Sequence, residues 1–101
     1  MDITINSRTK LGYRGTNSKN ECLNLKELKP EFTGTIRQCI REKQRLMRGS
    51  GSLDTFHQLY YKNKPIFGYY EPNGLSTIHN FSDILFVILN EGSARIMVES
   101  D

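Results

Sequence analysis

No long hydrophobic run occurs in this chain of 101 residues. Its longest apolar stretch, Ile84-Leu85-Phe86-Val87-Ile88-Leu89, falls far short of the roughly 20 residues that cross a bilayer, so no membrane span is expected. Cysteine is also scarce. Cys22 and Cys39 are the only two, where a disulfide-built scaffold carries four or more, and they are expected to stay free thiols. There is no Cys-x-x-Cys pair, and His57 and His79, the only histidines, stand far along the chain from both cysteines. No metal site and no cofactor is therefore expected. Gly49-Ser50-Gly51 lacks the Lys-Ser/Thr that completes a phosphate-binding loop. The start, Met1-Asp2-Ile3-Thr4, lacks the basic-then-apolar order of a secretory signal, which makes a cytoplasmic location the expectation.

Nor is there a large excess of either charge. Fourteen Lys and Arg against eleven Asp and Glu leave +3. Apolar residues at 37% and charged residues at 25% are ordinary, so one folded domain over 1–101 is expected rather than disorder. The small total conceals an asymmetry. Residues 1–50 hold eleven basic and five acidic side chains, a balance of +6; residues 51–101 hold three and six, a balance of −3. A basic half joined to an acidic half points to an anionic partner for the first.

Residues 1–20 read as a basic, polar N-terminal segment. Asp2–Asn6 alternates and suits a short strand, while Lys10–Asn20, with Gly12 and Gly15, reads as a loop. Asn24 and Glu27 make a possible capping box for a short turn ending before Pro30. Thr35 and Gln38 form a clearer box, and Ile36–Arg48 contains neither Gly nor Pro before Gly49 stops it. The spacing predicts an amphipathic helix over 35–48. Ile36, Cys39, Ile40, Leu46 and Met47 share one arc, with Lys43 inside it; Arg37, Arg41, Gln44, Arg45 and Arg48 share the other. Gly49–Ser52 reads as a flexible loop.

Residues 54–101 read as a sheet-rich half. Phe56–Tyr61 and Ile66–Tyr70 flank the polar turn Lys62-Asn63-Lys64-Pro65 as a hairpin. Pro72-Asn73-Gly74 is the next turn, Leu75–His79 a third short strand and Arg95–Val98 the last. Between them, residues 80–92 suit either a helix capped by Ser82 and stopped by Gly92 or a buried strand. The caps favour the helix, although it must then find cover for Phe86 and Val87 on a second face. The fold class expected is α+β: a small antiparallel sheet of three to five strands packed against one long basic helix, with a second short helix.

The arginines are the sharpest functional signal. Arg37, Arg41, Arg45 and Arg48 recur at spacings of four, four and three, which stacks guanidinium groups along one helix face. Guanidinium forks match phosphate or carboxylate oxygens in pairs. A charged outer face is ordinary for a core-packed helix. This one differs in having a single acid nearby, Glu42. Arg8, Lys10, Arg14 and Lys19 extend the basic patch, and Tyr61 and Tyr70, nearest the polar turns, are the aromatics expected at the surface for base stacking or a protein contact. The expected function is a small non-enzymatic regulator that binds the phosphate backbone of nucleic acid. One alternative is a protein-binding module or inhibitor docking on a larger, nucleic-acid-handling enzyme, with Glu71, Asp83, Glu91, Glu99 and Asp101 imitating a nucleic acid. Another is a small ribonuclease-like enzyme using His57 or His79 as general acid or base. Cys39, on the apolar arc, is expected to be an inert packing thiol. No feature selects an oligomeric state.

Overall fold

A computed structural model describes residues 1–16, 28–48, 56–77 and 81–99. The readings placed on Lys19, Cys22, Asn24 with Glu27, Gly49–Ser52 and His79 lie outside the described residues. In chain order the elements are β1 (Asp2–Ile5), β2 (Leu11–Thr16), β3 (Phe32–Gly34), α1 (Ile36–Arg48), β4 (Phe56–Tyr61), β5 (Lys64–Glu71), β6 (Gly74–Thr77), α2 (Phe81–Glu91) and β7 (Ala94–Val98). The class is α+β. The sheet order is β1-β7-β5-β4-β2-β3, with β6 also on β5, and all pairings are antiparallel. Seven strands replace the three to five expected.

The surplus comes mostly from β2 and β3. Glycines made residues 11–16 read as loop, yet here they serve close approach. A Cβ on Gly12 would stand 2.6 Å from Pro30 Cβ, and one on Gly15 would fall 2.1 Å from the Tyr13 hydroxyl and 2.6 Å from Leu46 Cδ2. Only glycine lets the chain outside the sheet and α1 come this near to β2. The three residues of β3 are too few to show a period.

β5 is the pivot of the sheet. Lys64 and Pro65 pair with β4, and from Gly68 onward β6 takes over that edge while β7 holds the other. A bulge between Ile66 and Gly68 turns Phe67 outward. Where β4 departs, the Gln58 amide donates to Leu59 O at 2.8 Å and Ile66 O at 2.7 Å, filling the gap in the ladder. The β4–β5 hairpin closes through two residues with positive φ, Lys62 at 47° and Asn63 at 67°. Such turns favour glycine at the second position. Asn63→Gly is expected to stabilise the protein by about 0.5–1 kcal/mol, read as a higher urea midpoint at unchanged slope.

Both helices cover one face of the sheet. The Thr35–Gln38 box forms, with Thr35 N–H donating to Gln38 Oε1 at 2.8 Å and Gln38 N–H to Thr35 Oγ1 at 3.3 Å. α1 lies on β2 and β3, α2 on β7, and the helices touch each other. Ala94, Ile96 and Val98 alternate inward from β7, meeting Ile84 and Ile88 of α2 in a core that also holds Leu11, Leu59 and Cys39. Residues 81–91 take the helical option, with Gly92 N–H donating to Ile88 O at the C-terminal end; the helix begins at Phe81, so Ser82 lies inside its first turn and is not the cap expected. The last strand begins one residue before Arg95.

Candidate nucleic-acid interface

Burial of Ile36 and Cys39 against β2 and β3 fixes which side of α1 faces solvent. Arg37, Arg41, Gln44, Arg45 and Arg48 are all on the exposed side. They are not equivalent. Arg45 Nε donates to Glu42 Oε1 at 2.8 Å, and Arg45 NH2 bonds the same oxygen, so this cation is already neutralised. Among the described residues Arg37, Arg41 and Arg48 have no acidic partner. At 1.5 Å per residue they span about 16 Å of the helix, with about 6 Å between the first two. Arg37 also sits in a first turn without any acid, where the helix dipole is positive and cations are disfavoured.

The basic N-terminal residues divide into two groups. Leu11 pairs with Gly34, next to the Thr35 cap, so the turn carrying the exposed Arg8 and Lys10 lies at the end of the sheet where α1 begins. Arg14 does not join it. It alternates with core-facing Tyr13 and so leaves the sheet on the opposite face, where it pairs with Glu31 at 2.8 Å and donates to Lys29 O at 3.3 Å.

The aromatics also differ from expectation. Tyr61 packs partly against the core, with the Lys62 ammonium 5.5 Å from its ring centre. Tyr70 lies under the Arg95 guanidinium, 3.9 Å from ring centre to Cζ, and its hydroxyl donates to Asp2 Oδ1 at 3.2 Å. The exposed aromatics of the sheet are Phe56 and Phe67, 44% and 43% accessible. Counting alternate residues from buried Ile66 already turns Phe67 outward. The position of Phe56 depends on its place at the start of β4.

A second cluster lies beneath α1. Gly15 pairs with His57, and the Tyr13 hydroxyl and His57 Nδ1 share a hydrogen bond of 2.5 Å. The two rings stack, and Tyr13 meets Phe81 edge-on with centres 5.7 Å apart. Lys43, inside the apolar arc, places its ammonium 4.6 Å from the centre of the Phe81 ring, and burial lowers its pKa. Burial, aided by Lys43, pushes the His57 imidazole down to about 4. One of its nitrogens is held by Tyr13 and the other, Nε2, is buried. A neutral imidazole so enclosed is suited to packing rather than proton transfer. Burial pushes the Cys39 thiol up to about 12, as fits an inert core group. Among the described residues no group of acidic, Cys or His side chains is arranged to hold a metal.

The His57 shift carries a stability prediction. Its folded value lies below the ordinary 6.5, so the unfolded chain takes up the proton first as pH falls. This contribution is whole above about pH 6.5 and is lost on the way down to 4. With the ring only half-buried, the expected loss is about 1–2 kcal/mol. Urea midpoints across that window measure it, and His57→Asn should remove most of the slope.

No protein-family model, curated protein or solved structure matches this chain.

Proposed function

We propose that the protein is a small nucleic-acid-binding regulator that grips the phosphate backbone through the exposed face of α1. The observation that carries the reading is the set of three arginines, Arg37, Arg41 and Arg48, on one rigid helical face with no acidic partner among the described residues. A stability-driven surface would pair them with acids, as Glu42 pairs Arg45. Guanidinium groups on a helix are pre-positioned, so little side-chain freedom beyond their own rotamers is lost on meeting phosphates. Arg8 and Lys10 supply further cations at the α1 end of the sheet.

The contacts are to phosphate, so affinity should depend strongly on salt and weakly on base sequence. Titration of the full chain with labelled single- and double-stranded DNA and RNA over a salt series tests this. Three phosphate contacts predict that log K falls against log salt with a slope of about −2 to −3, steeper where Arg8 and Lys10 engage. Absence of binding at the lowest salt overturns the reading.

A further inference from the structure

On the outer face of α2, Phe86 and Leu89 are 68% and 60% accessible, the most exposed large apolar side chains among the described residues. They are three residues apart, so both project from one side of the helix. Beside Phe86 runs a groove of about 490 Å³ between α2 and the β5–β6 turn, lined by Glu71, Pro72, Phe86, Val87, Asn90 and Glu91. Its size suits one large side chain. Asp83 stands one turn before Val87 on the same flank, close enough to Tyr69 to add to the rise that burial and the Glu71 hydrogen bond give its hydroxyl pKa.

The charges are all of one sign. Glu71 and Glu91 stand in the walls with Asp83 nearby, and none of the lining residues is basic. The last turn of α2 also lacks the Lys or Arg that would complement the negative pole of the helix. Tyr69 and Ser76 donate hydrogen bonds to the Glu71 carboxylate, but among the described residues no cation pairs with Glu71 or Glu91. An apolar anchor beside such negative charge selects a ligand with the opposite pairing: a large apolar side chain flanked by cations. The outer face of α1 cannot supply it from a second copy, because its exposed residues are arginines and glutamines with no apolar member.

We infer that the α2 groove docks a basic segment of a partner protein, anchored by one aromatic or Leu side chain against Phe86 and flanked by Lys or Arg facing Glu71 and Glu91. This surface is independent of the arginines of α1 and binds the opposite charge.

A random-peptide display library selected on the full chain tests it, with counter-selection on Phe86→Ser/Leu89→Ser. Both side chains are exposed, so this variant should keep the wild-type melting curve. Expected winners combine Phe, Trp or Leu with neighbouring Lys or Arg. The best of them, made synthetically, should bind Phe86→Ser about tenfold or more weakly. Its salt dependence should shrink in Glu71→Gln/Glu91→Gln and remain unchanged in Arg37→Ala/Arg41→Ala/Arg48→Ala. Asn90→Lys keeps Phe86 and places a like charge in the groove, so it should also block binding. Enrichment of acidic or uncharged peptides, equal binding by Phe86→Ser, or no enrichment over the counter-selected variant overturns the inference. So does a concentration-dependent dimer that Phe86→Ser abolishes, since the occupant would then be another copy of this chain.

Discussion

Replacing Arg37, Arg41 and Arg48 together by alanine is expected to lower the proposed nucleic-acid affinity about 10²–10³-fold at roughly 0.1 M salt. The figure follows from counterion release. Each lost phosphate contact removes about 0.7–0.9 from the salt slope, so across the decade from 1 M down to 0.1 M each contact accounts for nearly one power of ten. The residual slope should reflect the remaining cations of the patch, Arg8 and Lys10 among them. Folding should hardly change, because the three side chains are exposed, have no acidic partner among the described residues and are replaced by the best helix former. Two single variants sharpen the test. Arg45→Ala should cost less affinity than Arg41→Ala, since Glu42 already neutralises Arg45. Arg14→Ala should leave the salt slope alone and lower stability, because it breaks the Glu31 contact on the other side of the sheet. Equal effects of Arg14 and Arg41 on the slope would place the phosphate path on the wrong face.

Ile96→Ala is expected to cost about 3–4 kcal/mol of folding free energy. Ile96 is fully buried, its strand β7 is paired on both edges, and α2 covers that face of the strand. Both edges and the overlying helix restrain the collapse that would fill the void. A domain of this size is stable by only about 5–15 kcal/mol, so the loss is a large share, and it should lower Tm by about 15–25 °C. Met97, the next residue, points to the opposite face and is half-buried. Met97→Ala should therefore cost about 1 kcal/mol or less. Thermal and urea unfolding of the pair checks both burial and register. Similar losses from Ile96 and Met97 would mean that β7 is shifted by one residue against β1 and β5.

What could be read in the residues depended on how far apart the interacting groups lie. The start of α1 is decided by Thr35 and Gln38 bonding to each other across three residues. The hairpin at Lys62-Asn63 and the Gly92 stop of α2 are equally local. β2 was hidden because its glycines answer to Pro30, Leu46 and His57, all distant in sequence. Arg14 had the composition of a phosphate contact, yet strand alternation sends it across the sheet to Glu31. Tyr61 and Tyr70 stand nearest the polar turns in sequence, but the fold packs one partly against the core and sets the Arg95 guanidinium over the ring of the other. The expectation that a helix over 80–92 must cover Phe86 does not hold. The fold leaves Phe86 in solvent instead, and so provides a docking surface that no local pattern announced.

By itself the sequence determined the charge division between the two halves, the arginine spacing on α1, the Thr35–Gln38 box that starts α1 and the Gly92 stop of α2, all of which depend on neighbours within a turn or on composition. Tertiary structure alone decided that Arg45 and Arg14 are spent on Glu42 and Glu31, while Arg37, Arg41 and Arg48 meet no acid among the described residues. It also joined Tyr13 to His57 across 44 residues and Asp2 to Met97 across the chain. Burial and ion pairing depend on which surfaces meet, and strand order settles that only once the whole sheet has formed.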